Sequence, residues 1–319
     1  MFANLGLFKR LSRGVCTCFV ALAAFLAGPL QAAPLAYELK PVAVAEGVYV
    51  LEGKTQDFSR ANGGNVVNTA FIVGEEGVLV FDTGPSLKYG KALRQAIASI
   101  TPLPITQVLI SHHHPDHIFG NQAFADVPIL GFKQTAQGID DFGADYSDNM
   151  YRMVGDWMRG THLQGISQTI TEGPLAFAGR QLEVLRFSGH TGADLAVFDH
   201  TSGVLLAGDM VFVQRMLTTP HTPGLAVWRA ELDQLMNLPV TAIVPGHGPV
   251  QKDTQGLKDM QAYLTWLDDT LSQAAQRGAS MNELMQTPMP PAFADTPLAR
   301  SEFLRSVVHL YPKYEEAAF

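Results

Sequence analysis

One short segment of the sequence concentrates side chains that bind metals. It supplies four candidate ligands within six residues: His112, His114, Asp116 and His117. His112 and His114 are two residues apart in extended chain, so their side chains lie on one face, whereas His113 points away and is predicted to be packed. Neutral imidazole and carboxylate are the ligands that borderline divalent ions such as zinc prefer. The spacing therefore predicts a metal site rather than an incidental histidine-rich turn.

Three further candidate ligands come later in the chain, each at the end of a predicted strand. They are His190, Asp209 and His247. Both histidines have small neighbours, in Gly189-His190-Thr191 and Gly246-His247-Gly248, and small residues allow the backbone to approach a site closely. We therefore expect these side chains to complete the metal site of the first segment.

The elements that must position these residues occur in the same order twice. Each copy predicts a hairpin, an aspartate, a helix, a strand and then a histidine. The first copy comprises strands 69–73 and 78–82, a helix at 87–100, a strand at 107–110, and then a helix from residue 115 through about 124. The second comprises strands 195–198 and 204–209, a helix at 228–236 and a strand at 242–244. Two such halves, packed sheet against sheet with helices outside, predict an α/β fold, a four-layered αβ/βα sandwich with a site at the strand ends.

The motif H-x-H-x-D-H at residues 112–117, together with the three later ligands, resembles the metallo-β-lactamase fold superfamily from about residue 45 to 265. The resemblance implies two zinc ions per chain, with iron as the alternative metal. It assigns the first metal to His112, His114 and His190. It assigns the second to Asp116, His117 and His247, with Asp209 bridging the two. Asp82, in Asp82-Thr83-Gly84, matches a family aspartate that supports the ligands from behind.

The implied metal pair predicts hydrolysis without a protein nucleophile. A water that bridges two metals loses a proton near neutral pH and can attack an acyl centre. Asp116 is the expected catalytic residue, since it can orient this hydroxide and pass its proton to the leaving group. The expected protein is a periplasmic dinuclear zinc hydrolase that cleaves a small ester, thioester or lactone. The alternatives are β-lactam hydrolysis, an iron-dependent sulfur-compound oxygenase on the same ligands, and a metal-holding accessory protein without turnover.

Residues around the ligands indicate a branch of the superfamily. Asp209 stands where several true β-lactamases of this fold carry cysteine, a pattern closer to the glyoxalase-II, lactonase and arylsulfatase-like branches. The full stretch from residues 61–65 through the loop at 218–221 looks similar to the exported quinoprotein relay system zinc metallohydrolase group, near SoxH-like proteins. That similarity implies a setting near periplasmic alcohol or sulfur-compound oxidation, without defining a substrate.

Three residues outside the ligand set are candidates for contact with a substrate. His221 lies in a proline-rich loop and could reach a substrate or an oxyanion, with simple loop packing as the alternative. Arg215, in the same loop, could pair with a substrate carboxylate or with an acid of the protein. Trp157 belongs to a helical segment with one apolar face, residues 150–158, which predicts core packing in preference to a hydrophobic roof over the substrate.

The first 32 residues have the layout of a secretory signal peptide, with basic residues, an apolar run and then small residues. This layout predicts export to the periplasm, a catalytic domain at 33–265 and a helical extension at 266–319 that packs on it. Both cysteines, Cys16 and Cys18, lie in this leader, so no disulfide is expected. The net charge of −8 argues against a nucleic-acid partner. A small-molecule substrate is expected, with no membrane contact after cleavage, and the oligomeric state is left open.

Overall fold

This computed structural model describes residues 35–318 of the chain. These residues form two β-sheets and the α-helices around them. The first sheet contains β1 (Val42–Ala45), β2 (Val48–Leu51), β3 (Thr69–Val73), β4 (Val78–Phe81), β5 (Ile105–Leu109), β6 (Ile129–Gly131) and β7 (Gln168–Thr169). The second contains β8 (Gly173–Phe177), β9 (Arg180–Phe187), β10 (Asp194–Asp199), β11 (Val204–Phe212) and β12 (Ala242–His247). The α-helices are α1 (Leu87–Ala98), α2 (Pro115–Ile118), α3 (Lys133–Val154), α4 (Leu225–Met236), α5 (Gln255–Gln276), α6 (Met281–Leu284), α7 (Pro291–Ala294) and α8 (Ala299–Ala318). The predicted signal peptide, residues 1–32, lies outside the described residues.

The two sheets share one pattern of connections. The first sheet has its strands in chain order, and the second has the order β12-β11-β10-β9-β8. In the first, β3 and β4 form an antiparallel hairpin and β5 lies parallel to β4. In the second, β10 and β11 form the hairpin and β12 lies parallel to β11. Parallel neighbours need a crossover connection, which α1 and α4 supply. Each half therefore contains the expected hairpin, helix and strand, and in each half this last strand is parallel to its neighbour.

Apolar side chains cover both faces of the sheets. In β4, Leu79 belongs to the core between the sheets and Val80 to the core under α1, because successive side chains of a strand alternate. In β11, Leu206 lies between the sheets and Leu205 packs toward α4, α5 and α8. The layers are thus helix, sheet, sheet and helix. The predicted four-layered α/β sandwich is confirmed.

The helix predicted from residue 115 to about 124 is interrupted. α2 ends at Ile118, and a separate 3-10 helix spans Asn121–Phe124. The backbone carbonyl of His117 accepts hydrogen bonds from the N–H and the hydroxyl of Thr83, at 2.9 and 3.0 Å. The loop after β4 therefore occupies the carbonyl that would otherwise continue the helix.

The strand predicted at 204–209 is longer than expected, since β11 continues to Phe212. Its pairing with β12 is irregular from Leu206 onward, and Gly208 has a φ of +52°. That backbone conformation favours glycine, and such an irregularity redirects the side chain beside it. Asp209 therefore lies within a strand next to a bulge, rather than at the end of a strand.

The C-terminal helices cover the outer face of the second sheet. α5 runs through the boundary that the sequence placed at residue 265, and residues from Ala36 onward form one compact unit. Leu264 of α5 and Phe303 of α8 share a core with Trp228 of α4. Among the described residues, no helix combines the length and apolar character that a membrane span requires.

Candidate metal centre

The first half of the centre follows a buried strand. The turn after β5 carries His112 and His114, and α2 then carries Asp116 and His117. Pro115 stands at the first position of α2, where its fixed φ suits a helix start and its missing N–H leaves no donor unpaired. Four candidate ligands are therefore placed by one strand end and one helix start.

The other three candidate ligands come from the second sheet. His190 follows β9, Asp209 lies within β11 and His247 is the last residue of β12. The backbone N–H of His190 donates to the carboxylate of Asp194 at 2.9 Å. Glu231 of α4 accepts hydrogen bonds from the two backbone N–H groups that precede His190. The His190 loop is thus fixed by two carboxylates that are not ligands.

The structure brings the seven candidate ligands together in two groups. Within each group the candidate ligand atoms lie within 4.8 Å of one another. The first group consists of His112, His114, His190 and Asp209. The second consists of Asp116, His117 and His247. All seven side chains are buried, so a charge held there is shielded from solvent.

Asp209 lies between the two groups. Its Oδ2 is 3.3 Å from Nε2 of His190 and 3.3 Å from Nε2 of His247. Its Oδ1 is 3.2 Å from Nε2 of His117. Gly246 makes this approach possible, because a Cβ at that position would lie 1.9 Å from Oδ1 of Asp209. One carboxylate thus contacts members of both groups, as a bridging ligand must.

Asp82 is not one of the seven candidate ligands, but its hydrogen bonds hold residues of the site in place. Its Oδ2 accepts hydrogen bonds from Nδ1 of His117 and from the hydroxyl of Ser111, both at 2.7 Å. Because that hydroxyl hydrogen is given to Asp82, the Ser111 oxygen can accept one from Nδ1 of His112, 2.9 Å away. Nδ1 of His247 similarly donates to a backbone carbonyl, that of Val66, at 2.8 Å. With a metal bound, these three imidazoles would keep the hydrogen on Nδ1 and offer Nε2 as the ligand atom.

Burial and charge shift the pKa values of the imidazoles in opposite directions. Burial, followed by repulsion from neighbouring histidines, lowers the pKa values of His112 and His114 well below the ordinary value. Burial would also lower the pKa of His117, but the surrounding carboxylates, Asp209 above all, outweigh it and raise that pKa. The carboxylates that favour a proton on His117 favour a divalent cation equally, and metal binding would displace the proton.

The donor set fits a divalent metal. Nε2 of His112, Nε2 of His117 and Oδ1 of Asp209 are buried and have no hydrogen-bond partner among the described residues. Buried polar atoms in proteins are nearly always paired, so unpaired ones that converge on one point call for another partner. Imidazole nitrogens and carboxylate oxygens are donors that zinc accepts readily.

The three predicted substrate-contacting residues lie in different settings. His221 lies beside the first group, with Nδ1 2.7 Å from Nε2 of His114. Arg215 is buried on the face of the Phe212 ring, 4.0 Å from Glu302, so its partner is an acid of the protein. Trp157 is 8% exposed and packs in the core around Met150, and its indole N–H donates to the backbone carbonyl of Arg60. Contact with a substrate stays a prediction for all three.

Sequence reasoning missed Tyr146 of α3. Its ring centroid is 6.2 Å from that of His114, and its hydroxyl is buried without a partner among the described residues. Burial and then the charge of Asp116 raise the pKa of this hydroxyl, so it stays protonated and can donate a hydrogen bond. No local motif marks Tyr146, which is brought to the centre only by the packing of α3.

Comparison with known sequences identifies relatives that are similar over the part of the chain that carries these ligands. The sequence profile of the metallo-beta-lactamase superfamily matches residues 62–247, a segment that contains all seven candidate ligands. A probable metallo-hydrolase of Bacillus subtilis, YqjP, is 23% identical over 222 residues, which cover 59% of this chain and 69% of that protein. A linear primary-alkylsulfatase of a Pseudomonas species is 23% identical over 283 residues, or 75% of this chain. The chain spans only 53% of the alkylsulfatase's length.

Solved structures with the same architecture include both large and small proteins. A metallo-beta-lactamase from Pontibacter korlensis has a TM-score of 0.57 at 20% identity, covering 72% of this chain and 99% of that one. An inverting sec-alkylsulfatase from a Pseudomonas species has a TM-score of 0.66 at 16% identity, covering 86% and 50%. A beta-lactamase domain protein from Burkholderia ambifaria has a TM-score of 0.63 at 19% identity, covering 90% and 91%. At these identities the likeness shows the fold alone.

Proposed function

This chain belongs to the metallo-β-lactamase superfamily of metal-dependent hydrolases, and we propose that it is a periplasmic dinuclear zinc enzyme that cleaves a small ester, thioester or lactone. The observation that carries the proposal is the position of Asp209 between two buried groups of nitrogen and oxygen ligands. His112, His114 and His190 would hold the first ion, and Asp116, His117 and His247 the second, with Asp209 shared. The leader-like first 32 residues support the periplasmic location.

The chain's own residues supply the proton transfers. Bound metal ions supply a water of lowered pKa and polarise the substrate carbonyl. Asp116 has one oxygen 3.4 Å from Nε2 of His247 and 3.8 Å from Nε2 of His117. Its carboxylate can orient the attacking water, accept its proton and pass that proton to the leaving group. No cysteine or serine nucleophile is needed for this reaction.

An aromatic cluster beside the first group supports an uncharged substrate with an apolar part. The cluster consists of His113, Phe142, Tyr146 and His221, whose ring centroids lie 5.3 to 6.3 Å apart. Phe142 is 39% exposed, so the cluster extends from the buried ligand His114 to the surface. The unpaired hydroxyl of Tyr146 offers a donor to a carbonyl or ester oxygen bound there.

A sulfate ester is the second candidate substrate. The alkylsulfatase relatives match 75% of this chain in sequence and 86% in structure, beyond the 62–247 segment of the family profile. A sulfate ester would need a cation or several donors for its charged group. Arg215, the predicted partner for a substrate anion, is already placed beside Glu302. We therefore rank carboxylic esters, thioesters and lactones first.

A substrate panel combined with metal analysis tests the proposed function. Protein purified from the periplasm should contain about two zinc per chain and begin at Ala33 or Pro34 by mass spectrometry. It should cleave members of a panel of esters, thioesters and lactones, and a chelator should abolish turnover until Zn²⁺ is restored. β-Lactams and alkyl sulfates serve as comparison substrates in the same panel. One iron per chain with oxygen consumption would contradict the proposal, as would metal binding without any turnover.

A further inference from the structure

His221 lies against a candidate metal ligand. Its Nδ1 is 2.7 Å from Nε2 of His114, and the two ring centroids are 5.0 Å apart. The other ring nitrogen of His114, Nδ1, is 3.0 Å from Nε2 of His190 and so faces the first ligand group. His114 therefore has one nitrogen directed to the metal position and the other directed to His221.

The loop that carries His221 is anchored on both sides. Before it, the hydroxyl of Thr219 is hydrogen-bonded to the hydroxyl of Ser306 in α8, at 2.7 Å. After it, the hydroxyl of Thr222 donates to the backbone carbonyl of Gly189 at 2.5 Å, next to the ligand His190. The position of His221 is thus set by the C-terminal helix on one side and by the first ligand group on the other.

The ring of His221 is also held by aromatic packing. Its centroid is 5.3 Å from that of His113 and 5.4 Å from that of Phe142. His113 in turn lies close to Gly138 of α3, where a Cβ would be 2.7 Å from the imidazole Cγ. Packing alone could therefore explain the presence of a flat ring at position 221, and an experiment must separate packing from hydrogen bonding.

We propose that His221 is a positioning residue that accepts a hydrogen bond from Nε2–H of His114. This bond would fix the orientation of the His114 ring and keep its Nδ1 free of hydrogen for the first metal. An imidazole that gives Nδ1 to a metal keeps its hydrogen on Nε2 and needs an acceptor there. Nδ1 of His221 is that acceptor, and Ser306 of α8 holds its loop in place. The inference rests on the proposed metal centre but on no particular substrate, and it gives the C-terminal helix a part in metal binding.

Zinc affinity of the first site distinguishes the two roles. His221→Phe keeps a stacking ring but removes the acceptor, so it should weaken zinc binding at the first site by about 10- to 100-fold. His221→Gln loses the ring but keeps a carbonyl oxygen, so it should recover part of that loss. Ser306→Ala should weaken the same site by about five-fold, the value of one ordinary hydrogen bond. His200→Phe is the control, because the imidazole of His200 is exposed and pairs with Glu183, which belongs to neither ligand group.

The affinities are measured by titration with a competing chelator, with Zn²⁺ as the only metal, and the visible absorption of bound Co²⁺ gives a second readout. Unfolding midpoints show whether each variant folds.

Wild-type affinity in His221→Phe with a loss in His221→Gln would overturn the proposal in favour of packing. A change in KM alone would assign His221 to the substrate. A third zinc that is lost in His221→Phe would assign His113, His114 and His221 to a separate metal site. Zinc binding as expected without turnover would contradict the proposed function, while these affinities would still decide the role of His221.

Discussion

The two ligand groups are supported by different chemistry. In the second group, His117 donates to the buried carboxylate of Asp82, and His247 donates to the backbone carbonyl of Val66. In the first group, Nδ1 of His190 has no partner among the described residues. Charged and backbone acceptors are held rigidly, and the charged one makes the stronger hydrogen bond. The second group is therefore better prepared for a metal before the metal arrives.

The other two ligands of the first group depend on neutral side chains. His112 is oriented by the hydroxyl of Ser111, and His114 by the imidazole of His221. Such partners strengthen a ligand less than a carboxylate does. We therefore expect two unequal sites that share Asp209, with the first metal held less tightly than the second.

Asp209→Ala should have the largest effect, because it removes the side chain that both groups share. Without that carboxylate, two cations would repel each other with no negative charge between them. We expect both sites to lose metal. Hydrolysis should fall by about 100-fold or more, a larger loss than removal of a residue that only hydrogen-bonds to a ligand would cause. Metal content and turnover of one preparation check this result. A variant that keeps two zinc ions would contradict the bridging role.

Asp116→Asn should separate metal binding from proton transfer. The amide can still offer an oxygen to zinc but cannot accept a proton. Turnover should therefore fall by about 100-fold, while zinc content falls far less. Near-wild-type turnover would rule out Asp116 as the proton carrier. If zinc is lost in proportion to activity, Asp116 acts only as a ligand.

Asp82→Asn should weaken the second site more than the first, because Asp82 contacts His117 directly and reaches His112 of the first group only through Ser111. The buried amide keeps the side-chain shape but loses the negative charge that holds His117. Zinc affinity of the second site should fall by about 10- to 100-fold, measured by chelator competition. Asp126→Asn is the matched control, since Asp126 is an exposed carboxylate paired with Arg94. Equal weakening of both sites would show that the two groups are not supported separately.

Tyr146→Phe should have the smallest effect of these four changes. It removes one buried hydroxyl and leaves the ring in the aromatic cluster. Loss of a single neutral hydrogen bond to the reacting group should lower kcat by about 10-fold with zinc content unchanged. Tyr151→Phe is the control on the same helix, because its hydroxyl donates to the backbone carbonyl of Met158. An unchanged kcat would remove Tyr146 from the reaction.

Short spacing made much of the site predictable from the sequence. Four ligands fall within six residues, and the small neighbours of His190 and His247 mark the later ones. The repeated order of hairpin, helix and strand was enough to predict the four layers. Residues that meet only through tertiary packing gave no such pattern. Tyr146 belongs to this class, since no motif surrounds it.

The predicted ends of one helix and one strand differ from the structure for the same reason. The helix after Pro115 is shorter than expected because Thr83, far away in the chain, occupies the carbonyl of His117. β11 passes beyond Asp209 because its pairing with β12 resumes after the bulge at Gly208. Local periodicity cannot report a partner that lies on another strand. The same limit applies to His221, whose neighbour His114 is 107 residues earlier.

Stepwise removal of metal from the zinc-loaded protein tests the central claim of two unequal sites most directly. Chelator is titrated against wild type, His190→Ala and His247→Ala, and zinc per chain is counted at each step. Wild type should hold about two zinc ions and release them in two separate steps. His190→Ala should lack the weaker step, and His247→Ala should lack the tighter one. A single step with one metal per chain, or equal losses in both variants, would contradict the account.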